Sequence, residues 1–268
     1  MHHPAIFRQA IREALAQPAI IFAAVLLVIV AGLLAVGLGM RYDNDALVAL
    51  TLFGKVFAAE SLSVFAARLV PSLSSLMAAV LMFLFIVGSS SVFRAMLNDP
   101  LLSIVLTKPV ARWSVIASKF AGHAFIVIVL VCVFAIVVWF IFFVKTSGNH
   151  APDALHLAAL SFSYEFLIVF AFCSVIAMFV ESEAGIALLG LALYFIIAPL
   201  LESASGAQGF LVNVVRFIVP PIGPISGMTQ ELVVVGGSID PVPLLAALPY
   251  VIGFIGLTMV LFTKRDIA

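Results

Sequence analysis

Few side chains in this sequence can do chemistry, and they cluster. Glu165 stands inside a long apolar run, next to Tyr164 and close to Ser161 and Ser163. A charge at the centre of a membrane helix costs a few kcal/mol on insertion scales. Such a carboxylate either lines a polar cavity, hydrogen-bonds a substrate, or stretches up to the outer interface. His150, Asp153 and His156 are metal-ligand types at i, i+3 and i+6. Pro152 breaks the helix that would align them and no His-Glu-x-x-His accompanies them, so no metal is expected. The serines at 89–91 have no nearby His and Asp arrangement for nucleophilic attack, and read as small residues that let helices pack closely. His123 reads as a packed or interfacial histidine. The one Gly-Lys pair, Gly54-Lys55, runs into Val56 and has no glycine five positions earlier, which excludes the phosphate-cradling loop of ATPases. No catalytic constellation is visible, and the chain is not expected to be an enzyme or to bind a cofactor or metal itself.

The elements that position these residues follow from composition. The chain is 65% hydrophobic and 10% charged, with formal net charge +0, far from the roughly 45–50% apolar and ~25% charged balance of soluble domains. It is an integral membrane protein, and it lacks the clustered basic surface that nucleic-acid binding requires. Cys132 and Cys173 lie in apolar runs and read as small buried hydrophobes. A helix needs about 20 apolar residues to cross the hydrocarbon core. Six segments meet that length: Ala19 to Met40, Leu73 to Leu97, Phe120 to Val144, Leu157 to Val180, Gly185 to Leu201 and Leu244 to Phe262. Pro249 would kink the last or mark its true start. The first follows Arg8 and Arg12 like a signal sequence, but is too long for one and ends without a small-x-small site, so it reads as a retained helix. The expected fold is an all-α membrane protein, a single unit over 1–268. It has six transmembrane helices, an N-terminal interfacial helix (1–18), a cytoplasmic coupling segment (98–118) and amphipathic helices in outer loops 41–72 and 202–243.

Orientation follows from Lys and Arg near the helix ends. With the N-terminus inside, Arg8, Arg12, Arg94, Lys108, Arg112, Lys119, Lys264 and Arg265 are cytoplasmic, and Arg41, Lys55, Arg68, Lys145 and Arg216 lie outside. The majority inside gives a multi-pass membrane protein with both termini in the cytoplasm.

The stretch "LLSIVLTKPVARWSVIASKF", 101–120, then joins the second and third spans on the inner side. Asn98 or Asp99 can cap a helix whose first residue is Pro100, where a missing N–H costs nothing. Pro109 stops that helix, and a second short piece around Trp113 leads through Lys119 into the next span. The result is an elbow under the membrane with Leu101, Leu102, Val105 and Leu106 flanked by Lys108 and Arg112. It is either a docking element or a basic loop that sets topology.

These residues resemble the cytoplasmic signature of ABC-2-type permeases, the membrane subunits of bacterial ABC exporters. Leu106, Lys108, Pro109, Val110, Arg112, Lys119 and Phe120 match its "L-S-[KR]-P-[VI]-[SA]-R" and "G-K-[FY]" pattern. Thr107 replaces the usual Ser, and Ser118 stands where Gly is common. The ending Phe262, Lys264, Arg265, Asp266 also fits. The resemblance implies a coupling helix seated on a separate ABC ATPase subunit that carries ATP and Mg, with two permeases and two ATPases per assembly. It places Asp99, Pro100, Leu102, Lys108, Pro109, Arg112 and Lys119 at that contact. Glu181 and Glu183, on one side of the turn "ESEAG", either add a second contact or are solvated helix-end charges. Glu165 and Tyr164 are candidates for the translocation path.

Elsewhere, Ile6, Ile11 and Leu15, with Phe7 and Ala14 beside them, make an apolar face on residues 1–18, with Arg8, Arg12 and Glu13 elsewhere. The segment 43–72 is apolar but interrupted by Asp45, Lys55, Glu60 and Arg68, as amphipathic helices on the outer surface would be. In "GFLVNVVRFIVPPIGP", Phe210, Leu211, Val214, Val215 and Ile218 oppose Asn213 and Arg216, and Pro220, Pro221 and Pro224 demand an extended turn. Partners are membrane lipid, a second copy of the chain, the ATPase, and a periplasmic protein on the outer loops. The alternatives to an ATP-driven permease are a secondary transporter or channel, or a membrane anchor of an envelope assembly. The transported substrate is not written in the sequence. A reporter active only in the cytoplasm should be active when fused after Ala268 and silent when inserted after Gly148, and the reverse pattern would overturn the orientation.

Overall fold

The computed structural model describes residues 3–43, 46–58, 70–98, 112–145, 155–204, 210–234 and 238–264. Among the described residues, six helices are long and apolar enough to cross a membrane. A short first helix, α1 (His3–Leu15), precedes them. The spans are α2 (Pro18–Gly37), α3 (Val70–Asn98), α4 (Arg112–Lys145), α5 (Leu155–Ile176), α6 (Glu183–Ser203) and, after two further helices, α9 (Pro241–Lys264). Those two are α7 (Phe210–Ile218) and α8 (Ile222–Val234). Pro249 lies within α9 and does not begin it.

The bundle is organised around α5. It is the most enclosed span, with 72% of its apolar window buried against 17% for α2 and for α9, and it packs on α3, α4, α6, α8 and α9. The peripheral spans expose Phe22, Val28, Leu245 and Ile252, as lipid-facing helices should, because apolar side chains lose nothing against acyl chains.

Side-chain contacts fix the relative directions of the helices. Phe170 in the second half of α5 stacks with Phe93 near the end of α3, at 4.7 Å, and meets Phe120 near the start of α4, at 4.5 Å. Tyr164 reaches Leu244 and Ser174 reaches Thr258, so α9 runs parallel to α5. Ser91 of α3 donates to Gln17 at the entrance of α2, at 2.9 Å. Consecutive spans therefore alternate in direction. One end of the bundle collects α1, the starts of α2, α4 and α6, and the finishes of α3, α5 and α9. Arg94, Arg112, Lys119 and Lys264 belong to that end, which we call the basic end.

α1 packs along the start of α4. The closest approach is made by small residues: Ala10 and Ala14 are buried, and a Cβ on Gly122 would stand 2.7 Å from the Ala10 Cβ. Phe7 packs near Phe125 at 6.2 Å. The buried stripe is thus displaced from the Ile6, Ile11, Leu15 face, and Leu15 is exposed.

Two outer-loop expectations are corrected. Between α2 and α3 the chain forms a three-stranded antiparallel sheet, not amphipathic helices, over its described part: β1 (Leu38–Asp43), β2 (Ala46–Leu52) and β3 (Lys55–Ala58), in the order β1-β2-β3. Leu38 pairs with Leu52 and Leu52 with Lys55. The β2–β3 turn has Phe53 at φ 49 and Gly54 at φ 80, the two positive values that a tight hairpin turn demands. Gly54 is therefore a turn glycine. β1 begins at Leu38 and shortens the first span from its expected end at Met40. In the second case, Pro220 and Pro221 make only a brief break. Pro224 sits in the first turn of α8, where its missing N–H has no intrahelical role, and α8 buries Ile222, Ile225, Met228 and Leu232 in the bundle.

Gly122→Leu should wedge α1 off α4 and cost about 1–3 kcal/mol, read as a lower thermal midpoint in detergent. Gly253→Leu, where a Cβ would meet nothing within 4 Å, should leave the midpoint unchanged.

Candidate functional site

Of the coupling residues expected from the sequence, Asp99, Pro100, Leu102, Lys108 and Pro109 lie outside the described residues. Arg112 opens α4. Lys119 is turned inward: it is 6% exposed, and its Nζ stands 3.1 Å from Oε2 of Glu13 on α1. It ties α1 to α4. Glu181 and Glu183 are exposed at the basic end, where Ser182 caps α6 by accepting from the Gly185 amide at 2.9 Å. Of the metal-ligand trio, His150 and Asp153 lie outside the described residues, and His156 is exposed on α5.

His123 is buried in the junction of α3, α4 and α5. Its ring stacks on Phe170 at 5.0 Å, and its Nε2 is 3.4 Å from the Ser89 hydroxyl. Ser89 itself donates to the Phe85 carbonyl. This is a packed histidine.

A different arrangement surrounds Glu165. A cavity of about 260 Å³ opens between α3, α5, α6 and α8, lined by Glu165, Tyr194, Glu202, Ser226, Thr229 and Gln230 among others. The contacts that fix its place are specific. Ser161 and Thr229 share a hydrogen bond of 2.7 Å, and Ser226 hydrogen-bonds with Glu165. α8 therefore runs antiparallel along the first half of α5. The cavity lies toward the end opposite the basic one, with Ser75 near the start of α3 and Glu202 near the finish of α6 in its wall.

Glu165 is 1% exposed. A carboxylate this enclosed does not reach an interface. Tyr194 and Ser226 are its hydrogen-bonding neighbours, while its Oε1 has no partner. Glu202 is exposed at the rim, and its carboxylate packs against Gly223 at the start of α8; a Cβ there would collide with it.

The wall contributed by α6 is not a regular helix. Leu193–Ile197 forms a π turn in which the Ala198 amide bonds to the Leu193 carbonyl. Pro199 follows directly and has no amide with which to continue the α pattern. The widened turn carries Tyr194 and Phe195 to the cavity, and such bulges recur at functional sites.

Tyr164 is not part of this wall; its hydroxyl donates to the Leu244 carbonyl at 2.8 Å and fastens α9 to α5. Ser163 donates to Ala159 within its own helix. Sequence reasoning found Glu165 by its charge, but missed Tyr194, Ser226 and Glu202. Pro199 inside a span was the available signal for an irregular helix there. Spacing alone does not bring α6 and α8 to α5.

The arrangement defines a multi-pass helical membrane protein with a polar, acid-lined cavity inside its bundle. Compared with models of known protein families the chain matches none, and no characterised protein is similar enough to count as a relative.

With Cys132 and Cys173 replaced by Ser, single cysteines at Glu202 and Gln230, both exposed, should react with a membrane-impermeant maleimide added from the side opposite the termini. A cysteine at the fully buried Leu193 should stay unmodified. Equal labelling of all three would show that the cavity wall is not as described.

Proposed function

We propose that this chain is the permease subunit of an ATP-driven exporter in the bacterial cytoplasmic membrane, with both termini cytoplasmic. A separate ABC ATPase, which binds ATP and Mg, supplies the energy, and two copies of the permease assemble with two ATPases. The observation that carries this reading is the sequence that joins α3 to α4 and opens α4, with its Lys108, Pro109, Arg112 and Lys119 pattern.

The geometry around that segment supports the reading. α4 has 34 residues, about 51 Å at 1.5 Å per residue, against a hydrocarbon core of about 30 Å. Its apolar stretch starts near Phe120, so Arg112 to Lys119 project beyond the core at the basic end. On this reading a soluble motor grips the chain at that end. α1 braces the projecting turns through Glu13 and Lys119.

Force on the connection reaches the cavity through packed side chains. Phe93 and Phe120 flank the segment and both contact Phe170, one turn from Phe166 at 5.3 Å, which neighbours Glu165 in sequence. Closure of the ATPase pair moves α3 and α4 as rigid bodies and shifts α5 against α6 and α8, a switch between two packings. The π turn of α6 is the wall element best able to change, since its hydrogen bonds can revert to the α pattern. Glu181 and Glu183 stand at the same end as a second contact.

A second reading, an ion-coupled carrier, is favoured by one observation, the enclosed Glu165 beside a cavity. Flux into liposomes holding this chain alone, driven by a proton gradient, would select it.

Affinity purification from native membranes should recover an ABC ATPase. Arg112→Glu, or removal of residues 100–112, should abolish that recovery while the chain still inserts. Retention of the ATPase by both variants would refute the coupling assignment.

A further inference from the structure

We propose that the cavity between α3, α5, α6 and α8 binds a small organic cation, whose ammonium group is held by the Glu165 carboxylate. This names the substrate class for the permease reading, but it stands on the cavity itself.

The argument begins with charge. Glu165 is enclosed, and one of its carboxylate oxygens points at no donor, while Glu202 adds a second acid to the same wall. Among the described residues, none that lines the cavity is Lys, Arg or His. A buried carboxylate is stable as an ion when an opposite charge lies close to it. Without such a charge a buried carboxyl favours its protonated form, so a cationic ligand that supplies the charge is the partner that suits the ionised one.

The donor set narrows the ligand further. Carboxylate, hydroxyl and amide oxygens line the cavity, from Glu165, Glu202, Ser226, Thr229 and Gln230, without imidazole or thiolate among the described residues. That set suits hard cations and ammonium groups, not soft transition metals. Volume then separates inorganic from organic. About 260 Å³ is far more than one ion fills, yet lies below the ~300–1,000 Å³ of pockets for drug-sized ligands. A molecule of one ring and a short chain fits.

The aromatic wall favours the organic cation as well. Tyr194 and Phe195 both line the cavity, with their rings edge to face at 4.8 Å. Aromatic faces attract ammonium groups through the ring quadrupole and pack against hydrocarbon at the same time. Tyr194 can do both, because it also hydrogen-bonds with Glu165.

The test uses the purified full-length chain in nanodiscs, without ATPase or nucleotide, and measures equilibrium binding of three probes: phenethylammonium, its neutral analogue 2-phenylethanol, and sodium. Phenethylammonium should bind saturably, one per chain, and 2-phenylethanol at least about tenfold more weakly, since hydrogen bonds to charged groups contribute about 1.5–3 kcal/mol. Glu165→Gln should reduce ammonium binding about tenfold or more, as loss of the same interaction implies. Tyr194→Phe, which keeps the ring and guards against misfolding of the first variant, should reduce it by a smaller factor. The assignment is overturned if alcohol and ammonium bind equally, if the ammonium does not saturate, or if well-folded Glu165→Gln binds as the parent does. It is also overturned if millimolar sodium displaces the ammonium, which would make the site one for an inorganic cation. Because no ATPase is present, failure here leaves the coupling segment untouched, and failure of ATPase recovery leaves the cavity ligand untouched.

Discussion

A helix enclosed by protein inside a membrane must satisfy every polar atom against a neighbour, because no water is present to do so. α5 is that helix here. Its hydroxyl groups are spent on fastening: Ser161 to Thr229 of α8, Tyr164 to Leu244 and Ser174 to Thr258 of α9. Each such bond contributes only about 0.6–2 kcal/mol in membranes. Their value lies in register, since a hydroxyl pair can meet at one rotation and one depth only. Glu165 is the polar group on this helix that the packing leaves partly unanswered, and that is where the cavity lies.

The same packing divides the molecule into two ends with different chemistry. At the basic end the contacts are aromatic and dense, joining Phe93, Phe120, His123, Phe166 and Phe170 across three helices. Close-packed interiors transmit displacement because they have little free volume in which to absorb it. At the other end the contacts include a buried hydroxyl pair and surround a cavity, and α6 departs from α geometry. A close-packed aromatic junction beside the proposed motor contact and a wall that contains a π turn are what the proposed transport role would use.

Much of this organisation was legible from residue type. The six spans follow from the length of their apolar runs, and Glu165 was conspicuous because a carboxylate in such a run needs a reason. Segment 38–58 was misread for an equally physical cause. In a chain this apolar, charges at intervals resemble a helix's wet face, whereas the positive φ at Phe53 and Gly54 that folds the segment into a sheet is a property of the turn and not of the periodicity. That Lys119 faces Glu13 was not legible, because a sequence cannot tell a cation that faces water from one that faces a carboxylate on another helix. The small-residue stripe of α1 was displaced for a related reason, since hydrophobicity ranks Ile above Ala while close approach to Gly122 ranks Ala first.

What the sequence determined by itself is therefore the solvent of each segment: which stretches must lie in hydrocarbon, how many cross it, and which end carries the excess of basic residues. Those follow from transfer free energies, which add residue by residue along the chain. What only the tertiary structure decided is which residues meet. Tyr194, Ser226 and Glu202 become neighbours of Glu165 because α6 and α8 pack on α5, and packing depends on shape at contacts between segments far apart in the chain, a quantity that no local sum contains.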